Sequence, residues 1–148
     1  MIGVSRERVR VALLWLCLAV FSLRVLGQIE VLLLQPRFLP PFDAWESGLL
    51  PYPTLLPGQI FLIAWMSTIA SEHARGLGWA RSAGRRRALR IFSAIYAGAM
   101  AVRLVVTVAL PPHTIVSRGL IPILAHWDLA AFIALVSKTP ENRVVNAT

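Results

Sequence analysis

Charged residues are scarce in this sequence of 148 residues, and acidic residues are scarcest. Only 15% of the residues are charged and 57% are hydrophobic, whereas charged residues make up about 25% of an ordinary soluble domain. A chain this short has too high a surface-to-volume ratio to bury so much apolar surface in a water-facing globule. The composition therefore excludes an ordinary soluble domain and predicts that apolar surface faces lipid or a partner.

The sequence also lacks the residues that most metal, redox and catalytic sites require. Cys17 is the only cysteine, so an intramolecular disulfide and a cysteine-based metal site are excluded. The three histidines, His73, His113 and His126, fall at different predicted depths, and no two of them match as axial haem ligands. Nucleophile motifs, glycine-rich phosphate loops and paired-carboxylate spacings are absent. The sequence therefore predicts no cofactor and no metal site, and it favours a protein that is not an enzyme.

Four apolar stretches predict an all-α integral membrane protein with a bundle of four transmembrane helices. A spanning helix needs about 20 mostly apolar residues. The predicted helices cover approximately residues 11–34, 55–73, 91–110 and 119–137. These stretches follow one another without an internal repeat or a long polar linker, which predicts a single membrane domain over residues 1–148.

The positive charges predict the orientation of these helices. Arginine and lysine cluster before the first apolar run, in the basic loop 74–90 and in the tail 138–148, whereas the connections 35–57 and 111–118 carry one arginine each. Because lysine and arginine are enriched in cytoplasmic loops, we predict that both termini are cytoplasmic, in a bacterial inner membrane. Four short spans, both ends inside and Arg24 in the first helix resemble the architecture of small bacterial inner-membrane proteins such as the DoxX-like group.

Segment 35–57, between the first two helices, is rich in proline and aromatic residues. It holds six of the ten prolines, which remove backbone donors and break helices, and aromatic side chains that suit the lipid–water interface. Asp43 followed by Glu46 has the spacing of a capping box around one short helical turn. We therefore predict an ordered external cap on the mouth of the bundle, with Asp43, Trp45, Glu46 and Tyr52 among its residues.

Polar residues inside the predicted helices are the strongest functional signal. A charge inside the bilayer costs about 2.5 to 3.5 kcal/mol on insertion scales, and it usually faces the bundle interior with a partner. With a rise of about 1.5 Å per residue, these residues fall in the outer half of the membrane or at its middle. The sequence predicts a buried polar network or ligand-binding pocket formed by Arg24, Gln28, Arg103, His126 and Asp128.

Within this network we predict that Asp128 pairs with Arg24 or Arg103, and that His126 forms a hydrogen bond nearby. Two arginines against one nearby acid leave spare positive charge, which suits an anionic ligand or headgroup. Two interpretations remain open at this point. The network is either a structural ion-pair cluster that fixes the helix register, or a polar pocket that opens outward beneath the cap.

Three functions remain open from the sequence. The leading one is a non-enzymatic accessory or assembly subunit, or a small-ligand binder, with a polar pocket in the outer half of the bilayer. The alternatives are a membrane enzyme or redox component acting on a lipid or quinone, and a small oligomeric transporter. Predicted partners are the bilayer, a larger membrane complex or a second copy, and not nucleic acid. Anionic lipid headgroups are predicted at Arg85, Arg86 and Arg87.

Overall fold

The protein is helical throughout most of its described length. The computed structural model describes residues 2–45, 51–77, 82–109 and 120–138, with side chains from Arg6 onwards. Its helices are α1 (Ile2–Leu34), α2 (Tyr52–Ala74), α3 (Ala83–Ala109) and α4 (Leu120–Val136), with a short 3-10 turn at Phe42–Ala44 between α1 and α2. The prediction of an all-α protein is confirmed.

Three of the four helices are long and apolar enough to cross a membrane, by length and composition. α1 contributes 29 residues from Arg6 to Leu34, α2 contributes 23 and α3 contributes 27. α4 is a shorter apolar helix of 17 residues, which is about 25 Å long at about 1.5 Å per residue. By helix length and hydropathy, the chain is a small multi-pass membrane protein.

The helices begin earlier in the sequence than the apolar runs that predict them. α1 begins at Ile2 rather than at residue 11, and α3 begins at Ala83, inside the basic segment predicted as a loop. Arginine is a good helix former, so a basic run next to an apolar run continues the same helix. The hydroxyl of Ser82 accepts a hydrogen bond from the backbone N–H of Arg85 over 3.2 Å and caps α3.

The cap is shorter than predicted, because α2 begins inside it at Tyr52. Pro53 lies in the first turn of α2, where proline is tolerated since its missing N–H would have no intrahelical partner. At the other end of the cap, Gln35 has a φ of 46°, in the left-handed region that terminates many helices. The described part of the cap therefore covers residues 35–45 and Pro51.

The predicted short helical turn is present in the cap, but its ends differ from the prediction. The turn at Phe42–Ala44 follows Pro41, and no side-chain hydrogen bond caps it. Asp43 therefore lies inside the turn and does not cap it. Glu46, the other half of the predicted capping box, lies outside the described residues.

α1 is the central helix of the fold. It packs against α2 on one side and α4 on another, and α3 packs chiefly against α4. The shared core comprises side chains from α1, α2 and α4, including Leu14, Phe21, Val25, Met66, Ile69, Ala70 and Phe132. α3 is mostly exposed along its length and presents apolar side chains such as Ile95 and Val102, as expected where a helix faces lipid. The helices thus follow one another in space in the order α2, α1, α4, α3.

Candidate functional site

A cluster of polar side chains lies between α1, α2 and the cap. Gln28 and Gln59 are 0% and 4% exposed, and Gln59 Nε2 donates a hydrogen bond to Gln28 Oε1 over 3.2 Å. The other two amide atoms, Gln28 Nε2 and Gln59 Oε1, are buried without a hydrogen-bond partner in the described part of the chain. Reversing both amides would again leave one donor and one acceptor free. Each such atom costs about 1 to 3 kcal/mol when it stays unpaired.

Arg24 adds a positive charge to this cluster. It lies one turn before Gln28 on the same face of α1, and its Nη2 donates to the backbone carbonyl of Trp45 over 2.9 Å. The Tyr52 phenol lies close enough to interact electrostatically with Arg24. Arg24 Nε and the Tyr52 hydroxyl are also buried, and neither has a hydrogen-bond partner among the described residues. We call Arg24, Gln28, Tyr52 and Gln59 together the cap site.

Trp45 holds the cap against α1, directly above this site. Its side chain is 8% exposed, and its Nε1 donates to the Pro40 carbonyl over 3.1 Å. The indole ring covers Gly27 so closely that a Cβ added there would lie 2.7 Å from Cη2. On the α2 side, Phe42 packs edge to face against Tyr52, with ring centroids 5.4 Å apart. One aromatic contact to each helix therefore keeps the cap in place.

A groove adjoins the cap site. Its volume is about 400 Å³, and it is lined by Val31 of α1 and six residues of segment 35–42. Val31 lies one turn beyond Gln28 on α1, and Phe42 contacts Tyr52. Apart from Gln35, the lining side chains are apolar. The groove is therefore mostly apolar, and its lining residues neighbour the cap site without belonging to it.

A second polar contact joins α3 to α4. The hydroxyl of Tyr96 and Nδ1 of His126 are hydrogen-bonded over 2.6 Å, with the two rings edge to face. Two further hydrogen bonds join the same helices, from Trp127 Nε1 to the Ala97 carbonyl over 3.2 Å and from Ser93 Oγ to the Ala130 carbonyl over 2.8 Å. Arg24 and Arg103 both lie within electrostatic range of the His126 ring. The structure thus brings Arg24, Arg103 and His126 into one neighbourhood.

Asp128 lies away from this neighbourhood. Its carboxyl is beside the Cys17 thiol, between α1 and α4, and its Oδ2 is buried without a hydrogen-bond partner among the described residues. Within that part of the chain Asp128 makes no ion pair with either Arg24 or Arg103. A helix turns about 100° per residue, so Asp128 lies on nearly the opposite face of α4 from His126, at about 160°. Cys17 also lies about 10 Å along α1 from Arg24 at that helix rise.

The opposite end of the helices is held by a separate contact, which the sequence did not reveal. Arg10 is 6% exposed, and its Nη1 donates to the Lys138 carbonyl over 2.8 Å. Its Nη2 forms a salt bridge with Glu7. Nearby on α2, the buried His73 donates from Nδ1 to the Ile69 carbonyl over 2.9 Å. The Arg10–Lys138 hydrogen bond thus joins the start of α1 to the end of α4.

Two sets of predicted residues remain, the arginines of α3 and the residues of the cap. Arg85, Arg86 and Arg87 follow the Ser82 cap in the first turns of α3. Of the predicted cap residues, Trp45 contacts the cap site through its carbonyl and Tyr52 belongs to it, whereas Asp43 makes neither contact in the structure.

Gln59 is the member of the cap site that sequence reasoning missed. It lies seven residues after the start of α2, and Gln28 lies six residues before the end of α1. Gln28 and Gln59 thus lie at similar distances from the two helix ends that the cap connects. This match could have identified Gln59 from the sequence. The signal was hidden because the second helix was predicted to start at residue 55, which placed Gln59 close to the helix end.

Within the described residues, no group of three or more His, Cys, Asp or Glu side chains is placed to hold a metal ion. Among the described residues, the side-chain polar atoms buried without a hydrogen-bond partner are Arg10 Nε, Asp128 Oδ2 and four atoms of the cap site. The chain matches no family model, no curated protein and no solved structure.

Proposed function

We propose that this protein is a non-enzymatic small-ligand binder of the membrane, with the cap site as its binding pocket. One observation supports the proposal: four polar atoms of the cap site, Arg24 Nε, Gln28 Nε2, Tyr52 OH and Gln59 Oε1, are each buried without a hydrogen-bond partner in the described chain. Leaving such atoms unpaired where no water can reach them raises the free energy of the folded protein. A ligand that forms hydrogen bonds to several of them at once removes a large part of this penalty, and that gain contributes to its binding.

The cap site would lie in the outer half of a bacterial inner membrane. Basic residues at the starts of α1 and α3 support a cytoplasmic location for those ends, by the usual charge asymmetry. The cap then lies on the external side, and Gln28 is about 9 Å below the end of α1 at about 1.5 Å per residue. The groove beside the cap provides the route by which a ligand approaches.

The test compares the wild-type protein with two matched variants by native mass spectrometry from a mild, uncharged detergent. Gln28→Leu with Gln59→Leu removes the amide atoms of the cap site and keeps similar side-chain volumes. Thr68→Val is the control, since Thr68 is an exposed polar residue of α2 that bonds only to its own helix. We expect a small molecule bound to the wild type and to Thr68→Val, and its loss from the leucine variant.

The same variants distinguish a binding pocket from a packing defect. Replacing a buried polar pair by apolar residues of similar volume is often neutral or stabilising. If the wild type carries no small molecule and the leucine variant simply melts at a higher temperature, the unpaired atoms serve no ligand and the proposed function fails.

A further inference from the structure

The charge of the cap site is not balanced by its own side chains. Arg24 is half-buried, and the acceptor it uses in the described chain is the uncharged carbonyl of Trp45. Within that part of the chain no carboxylate forms an ion pair with Arg24. The other ionisable groups near it are the Tyr52 phenol and the His126 imidazole, and neither is an anion at neutral pH. A half-buried cation with only a neutral partner favours the arrival of a negative charge.

Most of the unpaired atoms of the site can donate a hydrogen bond. Arg24 Nε is a donor, the Tyr52 hydroxyl can donate or accept, and the glutamine pair supplies one further donor and one acceptor whichever way its amides are turned. The site can therefore turn three donors toward a single occupant and needs one donor in return. That excess fits a group with several acceptor oxygens, and one protonated oxygen would satisfy the remaining amide acceptor.

We propose that the ligand of the cap site is an oxyanion, a carboxylate or phosphate group, and that the Trp45 carbonyl occupies its position on Arg24 in the empty site. The inference rests on the proposed function, because it names the chemistry of the ligand bound there. An arginine can donate two parallel hydrogen bonds to a carboxylate or phosphate, and the opposite charges attract, whereas the uncharged Trp45 carbonyl accepts a single bond from Arg24 Nη2. An arriving oxyanion therefore displaces the carbonyl.

Displacement of the carbonyl couples binding to the cap. Trp45 is seated on Gly27 with no spare space, so a movement of its backbone lifts the indole ring from α1. The same movement opens the groove at Phe42 toward the buried amides, because segment 35–45 contains both residues. Segment 35–45 is then a strap that covers the empty site and moves aside when the ligand binds.

Buried water is the competing occupant. Water pairs unpaired polar atoms well, but it carries no charge and leaves Arg24 unbalanced. The oxyanion itself has two sources, a small soluble anion or the headgroup of a lipid. Water, a soluble anion and a lipid headgroup differ in negative charge and in whether an acyl chain is attached. An experiment can vary these two features separately.

The experiment measures thermal unfolding of the full chain in an uncharged detergent, at constant ionic strength set with chloride. Acetate is compared with acetamide, which has a similar shape and no charge. Inorganic phosphate is compared with short-chain phosphatidic acid, and short-chain phosphatidylcholine controls for the lipid chains. Variants are Arg24→Gln and, as a matched control, Arg37→Gln, which removes an exposed cation of the cap segment.

We expect saturable stabilisation by at least one oxyanion and none by acetamide. Arg24→Gln should weaken that binding by about tenfold or more, as the loss of a charge-assisted hydrogen bond does, and Arg37→Gln should leave it within about twofold, as for a surface charge. Stabilisation by phosphate identifies a soluble anion. Stabilisation by phosphatidic acid without phosphate or phosphatidylcholine identifies a lipid headgroup. Both outcomes support the inference.

Other results overturn either the oxyanion inference alone or the binding function as well. If acetamide stabilises as well as acetate, and the effect needs Gln28 and Gln59 but not Arg24, the oxyanion is wrong while the binding function stands. Equal anion effects in wild type and Arg24→Gln show non-specific screening and also overturn it. If no compound binds and the leucine variant melts higher, both proposals fail.

The strap is tested by loosening it. Gly27→Ala forces the indole away from α1, and Trp45→Ala removes the ring while keeping the backbone carbonyl. Each variant should melt at a lower temperature without ligand and bind the oxyanion several-fold more tightly, since the competing carbonyl is less well held. Weaker binding in both variants would contradict displacement of the Trp45 carbonyl.

Discussion

At the scale of single residues, Gly27 shows how a missing side chain can hold a segment in place. A Cβ at Gly27 would lie 2.7 Å from the Trp45 ring, whereas a Cβ at Gly98 of α3 would meet nothing within 4 Å. We predict that Gly27→Ala destabilises the protein by about 1 to 3 kcal/mol, the range for overpacking a tight contact. Gly98→Ala should be neutral or stabilising, since alanine is the better helix former.

Thermal unfolding of both glycine variants in one detergent measures this difference. The two changes are chemically identical and both lie inside long helices, so helix propensity favours alanine equally at each site. Equal melting temperatures for the two variants would show that the cap does not press on Gly27.

Arg10 is the second residue with a large predicted effect. Its removal leaves the Lys138 carbonyl without this donor and Glu7 without its salt-bridge partner. We predict that Arg10→Ala costs about 2 to 3 kcal/mol, somewhat less than a fully buried ion pair, because Glu7 is partly exposed. Arg8→Ala is the control, since Arg8 is exposed. Denaturant unfolding of both variants in detergent measures the effect, and similar losses in the two would refute the contact's importance.

Sequence reasoning at this scale found residues but not their partners. Arg24, Gln28 and His126 stand out because a polar side chain in an apolar run needs an explanation. Counting residues from the helix ends gives depth, and depth alone suggested that Asp128 meets an arginine. The direction in which a side chain points depends on how each helix is rotated about its axis. That rotation is set by packing, which places Asp128 beside Cys17 and His126 beside Tyr96.

At the scale of helices, the apolar runs predicted that the helices form. A run of about 20 apolar residues has few other stable conformations in a membrane protein. The boundaries were less predictable. The basic residues that precede the apolar runs lie inside α1 and α3 rather than in loops. The start of α2 is at Tyr52-Pro53, because proline suits a first turn. Composition shifts mark where lipid contact ends, and helices extend past that point.

The start of α3 is where we predict contact with anionic lipid. Arg85 and Arg87 lie in its first turns and are exposed, where the helix dipole and the arginine charges both favour an anion. We predict that phosphatidylglycerol raises the melting temperature of the wild type more than phosphatidylcholine does. Arg85→Gln with Arg87→Gln should lose most of that difference.

Lysine at the same two positions is the matched control for charge. Arg85→Lys with Arg87→Lys keeps both positive charges, and attraction to anionic lipid is worth about 1 kcal/mol per Lys or Arg near the surface. The lysine variant should therefore retain most of the stabilisation by phosphatidylglycerol. Loss of stabilisation in the lysine and glutamine variants alike would show that charge at α3 does not bind the lipid.

At the scale of the whole molecule, the order α2, α1, α4, α3 could not be predicted from hydropathy. In a soluble protein an apolar stripe marks the face of a helix that packs against its neighbours. Here exposed faces are apolar as well: Leu23 of α1 and Leu124 of α4 are exposed, and Val25 and Ile123 beside them are buried. Hydrophobicity therefore distinguishes helix from loop but not one helix face from another, and the neighbours are decided by shape and by polar contacts.

The last prediction concerns which side of the membrane each end occupies. The Arg10–Lys138 hydrogen bond brings the end of α4 to the start of α1, so we expect both ends on one side even though α4 has only 17 residues. The basic starts of α1 and α3 favour the cytoplasm for that side. Reporter fusions after residues 45, 80, 115 and 148 should then read outside, inside, outside and inside in that order. An inside signal at residue 45 would invert the topology and move the cap site to the cytoplasmic half. An outside signal at residue 148 alone would contradict the Arg10–Lys138 contact itself.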